Sequence, residues 1–250
     1  MSSAVYTLWL RSIIRYFRSK SRIIGSLAQP LFFLLILGFG LNSVLTIPGA
    51  GHSYINFLIP GIIAMAVLFT SVFSGIQIIW DRQFGFLKET LIAPVSRTSI
   101  MLGQTVGGAS TAIIQGMIIL VLSLFIGGSF FSVWGFLIAL LFMILISISF
   151  TSLGIAIASR MEDMHGFQLI MNFFIMPIFF LSGALFPLTN APAILKTLAY
   201  INPLTYGVEG VRYGFLGVSA INPLISFAVL TGFCITMVFL GGYLFNKIKV

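Results

Sequence analysis

Formal charge in this 250-residue chain is confined to five short islands, which together hold 13 basic and 5 acidic side chains. Between Arg22 and Asp81 lie 58 residues without a formal charge, and between Arg97 and Arg160 another 62. Asp163 to Lys196 leaves 32 more, and Arg212 to Lys247 leaves 34. A soluble domain keeps a solvated face on nearly every element, and about a quarter of its residues are charged. Here the share is 7%. A helix of ~20 apolar residues crosses the ~30 Å of bilayer hydrocarbon, where one charge costs roughly 2.5–3.5 kcal/mol. Each long blank has room for two such helices and a turn, each shorter one for a single helix. The blanks therefore predict six spans.

Composition agrees, with 59% hydrophobic residues and a mean hydropathy of +1.13. The chain reads as an all-α integral membrane protein. It forms one membrane domain over residues 1–250, leaving no length for a soluble catalytic domain. The net charge of +8 reads as topology, so no nucleic acid is expected as a partner. Cys234 is the one cysteine, so no disulfide or cysteine-based metal site forms within the chain. The apolar run from Ile23 to Leu45 exceeds the about 7–15 residues of a signal-peptide core, so it reads as a span.

The expected spans are 23–45, 57–80, 102–126, 133–158, 167–186 and 223–245. Eleven of the 13 basic residues fall in alternate segments: the N-terminus, the loop after the second span, the loop after the fourth, and the tail. The connections 46–56 and 127–132 hold none, and 187–222 holds only Lys196 and Arg212. The positive-inside rule then places both termini in the cytoplasm, as six spans require. Trp80 and Trp134 fall at span ends, where indoles favour the interface. Pro30, Pro60 and Pro177 each remove a backbone donor within a span or its first turn. Gly103, Gly107, Gly108 and Ala109 form a small-residue run suited to close helix packing.

Residues 1–22 read as an amphipathic helix on the inner membrane surface. Val5, Trp9, Ile13 and Phe17 form its apolar stripe, and Arg11, Arg15, Arg18 and Arg22 an opposing basic one. The polar island over 81–97 is longer than a connection needs. In it Phe84, Leu87 and Leu91 are expected on one helical face flanked by Lys88, with Pro94 ending the helix. Such a helix suits a groove on a partner protein or the lipid interface. On the outer side, 187–222 reads as two half-helices, about 191–200 and 203–216, broken at Asn202-Pro203. Each is too short to span and too apolar for an open loop, which fits a re-entrant arrangement covered by protein. Glu209 and Arg212 stand three apart and are expected to pair locally.

No expected span holds Asp, Glu, Lys or Arg near its middle, which disfavours an ion- or proton-coupled secondary transporter. That carrier remains the alternative, since hydroxyl and backbone oxygens also bind ions. His52 and His165 fall on opposite membrane faces, and neither reaches Ser110, so no nucleophile–base set is formed. A phosphate-binding G-x-x-x-x-G-K-[ST] loop is absent from the sequence.

Several of these pieces recur together in one family. They are the basic N-terminal helix, Asn56-Phe57-Leu58-Ile59-Pro60-Gly61 opening the second span, and Gly85-Phe86-Leu87-Lys88 to Ala93-Pro94-Val95-Ser96 inside. Outside are Ser182-Gly183 to Phe186-Pro187, and Asn202-Pro203-Leu204-Thr205-Tyr206 to Val211-Arg212. In that order, over essentially the whole chain, they resemble the permease subunit of type-2 ABC transporters, the exporter class handling drugs, lipids and glycan precursors.

The resemblance implies that 1–22 is an interfacial connecting helix and 81–97 a cytoplasmic coupling helix seated in a separate ATPase subunit. The coupling residues would be Arg82, Phe84, Gly85, Phe86, Leu87, Lys88, Glu89, Leu91 and Pro94. The re-entrant region 187–222 would cap the translocation path, with Pro187, Asn202, Pro203, Tyr206, Glu209 and Arg212 at an outer gate. Family members typically open the coupling segment with Glu where this chain has Asp81. The resemblance further implies no cofactor on this chain and ATP with Mg on the partner ATPase. It also implies a homodimer or heterodimer of permeases, and a place in the cell (inner or plasma) membrane.

Overall fold

The computed structural model describes residues 2–42, 54–126, 132–188 and 191–248. Most of the connections expected at 46–56 and 127–132 lie outside the described residues, as does His52. Everything described folds into helices and turns. α1 (Ser2–Arg18) and α2 (Lys20–Asn42) are separated by Ser19. α3 (Tyr54–Ser74) and α4 (Ile76–Gln83) follow as nearly one rod, then the short α5 (Phe86–Ile92). α6 (Arg97–Phe125) and α7 (Val133–Ala158) are long and apolar. α8 (Met164–Ile170), a π-helical turn (Met171–Ile175) and α9 (Met176–Phe180) form a composite helix. α10 (Ala193–Ile201), α11 (Pro203–Leu216) and α12 (Pro223–Asn246) complete the chain.

Among the described residues, five helical segments are long and apolar enough to cross a membrane: Ile23–Gly40, Tyr54–Gln83, Arg97–Phe125, Val133–Ala158 and Pro223–Asn246. The expected span 167–186 is shorter, a composite helix over Met164–Phe180 that stops before a turn containing Gly183 at φ 71°. Pro177 supplies no backbone donor, and the π-helical turn directly precedes the segment that contains it. Residues 181–186 of the expected span lie in that turn and not in the helix.

α3 is the buried axis of the bundle: every residue from Leu58 to Leu68 is buried. The helices around it turn apolar side chains outward, among them Phe32, Phe39, Phe173 and Phe239, each more than half exposed. An apolar exterior around a packed interior is the pattern of helices bathed in lipid. The small-residue run on α6 works as expected. A Cβ on Gly103 would sit 2.9 Å from Leu8 Cβ, and one on Gly107 2.5 Å from Ser12 Oγ. α1 therefore lies directly on α6.

That contact changes the reading of α1. Its most buried side chains are Leu8 and Tyr16, while Phe17 of the expected apolar stripe is 57% exposed. Trp9 instead donates its indole N–H to Ser110 Oγ at 3.0 Å, and Tyr16 its hydroxyl to Gln115 Oε1 at 2.5 Å. Lys20 and Arg22 belong to α2, not to the surface helix. α1 is thus bound into the bundle along one edge, because the glycines of α6 accept small and polar side chains at close range.

Candidate functional site

The inner segment 81–97 is built from the end of α4, a left-handed Gly85 at φ 78°, and α5. Only glycine adopts that backbone conformation without strain, so α4 and α5 join at an angle rather than as one helix. The expected face of Phe84, Leu87 and Leu91 is therefore not formed. Leu87 points into the core at 2% exposure and Leu91 packs against it, whereas Phe84 at the bend is 83% exposed. The solvent side carries Phe84, Lys88, Glu89, Ile92 and Pro94, with Ile92 78% exposed. Gly85 and Phe86 are half-buried between the two faces. Helix α5 ends where Ala93 turns extended at ψ 149°, the conformation a following proline imposes.

Three anchors hold this segment. Asp81, 4% exposed, accepts two hydrogen bonds from Arg11 at 3.0 and 2.8 Å, one from Gln77 at 2.8 Å and one from Gln104 at 3.4 Å. The Arg11 guanidinium also lies 3.5 Å from the centre of the Phe86 ring. The carboxylate that opens the inner segment thus faces α1 within the chain. On the other flank, Arg82 donates to the carbonyls of Met161 at 3.0 Å and Ser159 at 3.3 Å, and Gln83 to that of Glu162 at 3.2 Å. At the far end Arg97 donates to the carbonyls of Asn246 at 2.7 Å and Ile248 at 3.1 Å. α1, the loop after α7 and the end of α12 all meet the same island.

Within 187–222, α10 and α11 are parted at Asn202, where the sequence placed the break. Asn202 Oδ1 accepts from the Leu204 backbone N–H at 3.0 Å, capping α11, while its Nδ2 donates to the Ile178 carbonyl at 2.5 Å. Pro203 opens α11 in the first-turn position that needs no backbone donor. Thr205 and Tyr206 donate to the carbonyls of Ala199 and Tyr200 at 2.6 and 2.7 Å. The two half-helices are therefore stitched to each other and to α9. Pro187 is half-buried just after the turn that carries Gly183.

Glu209 and Arg212 pair as expected, but deep in the protein, at 1% and 5% exposure. Arg212 also donates to the Gly183 carbonyl at 2.8 Å and lies 4.0 Å from the centre of the Phe57 ring. Glu209 Oε2 accepts from the Ala220 backbone N–H at 2.5 Å. This one pair joins α11, the turn after α9, α3 and the segment leading to α12. Tyr54 adds a bond to the Leu185 carbonyl at 2.9 Å.

Two packing devices escaped the sequence reading. Gly207, Gly210 and Gly214 lie along α11 where a Cβ would strike Ile146, Phe142 and the Gly135 carbonyl of α7. Their spacing of three and four was the available signal. Gly75 and Gly154 sit at one close crossing: a Cβ on Gly75 would lie 2.4 Å from the Gly154 carbonyl, and one on Gly154 2.5 Å from that of Val72. Nothing in the chain near either glycine marks it as half of a pair.

The ABC-2 type transporter family profile matches residues 3–216 of the chain. A putative transport permease, ycf38, from Porphyra purpurea is 33% identical over 209 residues, covering 81% of this chain and 70% of its own length. The inner membrane transport permease YadH of Escherichia coli K12 is 25% identical over 238 residues, covering 93% and 90%. Nodulation protein J of Sinorhizobium fredii NGR234 is 28% identical over 236 residues, covering 90% and 88%. An apolar helical bundle matched over most of its length by this profile, the chain belongs to the ABC-2 type transporter permease family.

Proposed function

We propose that this chain is the membrane-spanning permease subunit of an ATP-driven exporter, coupled to a separate ATPase that carries ATP and Mg. Six crossings put both termini in the cytoplasm, the Met164–Phe180 helix supplying the sixth. A helix of 17 residues reaches about 26 Å at 1.5 Å per residue, within the range for a thin or locally thinned bilayer. Two permeases pair about a twofold axis, and the cargo is amphipathic or lipid-linked, suited to spans without ionisable centres.

The observation that carries this reading is the two-sided build of segment 81–97. Its outer side presents two large exposed apolar residues, Phe84 and Ile92, around Lys88 and Glu89. Its inner side is fixed by Asp81, Arg82, Leu87 and Arg97 to α1, the α7–α8 loop, the core and α12. A partner that grips the outer side moves several helices as one body, the form of motion that rigid-body coupling requires. Arg82 and Phe86 act as internal struts in this scheme, while Phe84, Lys88, Glu89 and Ile92 meet the ATPase. Pro187, Asn202, Pro203 and Tyr206 shape the outer exit, held in place by the Glu209–Arg212 pair.

Replacing both Phe84 and Ile92 by Asp tests the assignment without touching the core. Burying each apolar side chain in a partner cleft is worth roughly 1.5–3 kcal/mol. The double variant is therefore expected to lose ATPase co-purification, and ATP-driven export with it, at unchanged thermal stability. Retention of both would remove the coupling role from this segment. Transport that is abolished by a protonophore yet indifferent to ATP depletion would instead make the chain an ion-coupled carrier.

A further inference from the structure

A cavity of about 710 Å³ lies between α1, α2, the α3–α4 rod and α6. Its α2, α3–α4 and α6 sides belong to segments long and apolar enough to cross a membrane. It opens on the α2 side, where Ser21, Gly25 and Gln29 are exposed. Phe69 and Phe73 of α3 give the lining flat apolar faces, while Gln29, Thr70 and Gln104 give it two amides and a hydroxyl. Among the described residues, neither the Gln29 amide nor the Thr70 hydroxyl has a hydrogen-bond partner. Polar side chains are costly within a span unless they face protein partners, water or a ligand.

The volume is that of a small-molecule site, which runs to roughly 300–1,000 Å³. Its chemistry selects the occupant. Water alone would have to wet Phe69 and Phe73, and a fully apolar guest would leave Gln29 and Thr70 unpaired. A charged head finds no counter-charge. Among the described lining residues there is no carboxylate, and Arg15, the one charged side chain among them, has an interaction of its own. Asp81, which Gln77 and Gln104 of the lining reach, is already paired with Arg11. Amides and hydroxyls both donate and accept hydrogen bonds, and a hydroxyl-rich head does the same. Its C–H faces and the start of an alkyl chain find the aromatic rings. We propose that this cavity binds an uncharged amphiphile, a glycosyl or polyol head group carried on an alkyl chain. The site is formed without Phe84 or Ile92 and binding needs no ATP, so its failure would leave the transport reading intact.

The test uses the full chain in phosphatidylcholine bilayers, with a brominated alkyl maltoside added below solubilising amounts. Trp80 borders the cavity and reports on it, isolated as the difference between the native chain and Trp80→Phe. The expected result is saturable quenching that unlabelled maltoside reverses. Brominated alkyl phosphocholine and brominated alkyl sulfate of the same chain length should not reproduce it. Gln29→Leu should raise the half-saturating fraction about fivefold or more and Thr70→Val about threefold, the range of one or two lost hydrogen bonds. Gly25 borders the space and a Cβ there meets nothing within 4 Å. Gly25→Leu should therefore fill the cavity and abolish saturable quenching at native thermal stability, so the test survives even if Gln29→Leu fails to fold. An uncharged glycolipid that stays with the purified chain at one per site, and is missing from Gly25→Leu, would identify the occupant as a bilayer lipid. A chain that purifies empty and fills only from added maltoside would identify it as a transient ligand; both outcomes support the site. Quenching that never saturates, equal quenching by a charged head, or undiminished quenching in Gly25→Leu would overturn it.

Discussion

Arg212 and Glu209 are the residues whose removal the fold should tolerate least. Each has traded water for the other, and Arg212 holds the Gly183 carbonyl and the Phe57 face as well. Truncating one member of a buried pair leaves an uncompensated charge, at about 3–5 kcal/mol, whereas replacing both by apolar residues is often close to neutral. Arg212→Met is therefore expected to lower the melting temperature in detergent sharply, and Glu209→Met combined with Arg212→Met to recover much of it. A single variant that melts like the native chain would show the pair to be dispensable. Gly154 offers a second case. Gly154→Val drives a side chain into the Val72 backbone, whose carbonyl would lie 2.5 Å from the new Cβ. A cost of about 1–3 kcal/mol is expected. Gly232→Val, where a Cβ meets nothing within 4 Å, should be silent in the same melt. The pairing of Glu209 with Arg212 was legible because both sit on one helix, three residues apart. The Gly75–Gly154 contact was not, because 79 positions separate its halves and only the crossing of two rods brings them together.

Among the elements, those with local punctuation were read correctly from the chain. Asn202-Pro203 parts α10 from α11 because asparagine caps and proline needs no donor at a first turn. The inner segment was read at its ends but not in its faces: the left-handed Gly85 turns Phe84 away from Leu87 and Leu91. A glycine in sequence does not announce a positive φ, so a continuous helix was the natural expectation. The tie between Arg97 and the carbonyls of Asn246 and Ile248 makes a prediction at this scale. Arg97→Ala should speed amide exchange at the end of α12 by releasing its last turn. Exchange in α7, which Arg97 does not touch, should stay unchanged. Equal protection at the end of α12 in both chains would mean that the tail is held by something else.

For the whole molecule, Met164–Phe180 sets how often the chain crosses the bilayer. In a Cys234→Ala background, Glu162→Cys and Thr197→Cys flank that helix at exposed positions. Membrane-impermeant thiol reagents added to sealed right-side-out and inside-out vesicles should label the two from opposite faces. Ser3→Cys should label from the same face as Glu162→Cys. Labelling of Glu162→Cys and Thr197→Cys from one face would leave the chain with five crossings and its termini on opposite sides.

The charge pattern by itself determined that this is a helical membrane protein, where its polar islands lie and how many apolar stretches separate them. Those are consequences of the cost of charge in hydrocarbon, which acts on each residue wherever its neighbours are. Tertiary structure alone decided which side of each element faces inward. α1 docks by Leu8, Ser12 and Tyr16 because α6 offers glycines there. Asp81 turns to Arg11 because α1 passes within reach. Transfer energies are additive along a sequence, but packing depends on which surfaces meet, and no single stretch of this chain contains both surfaces.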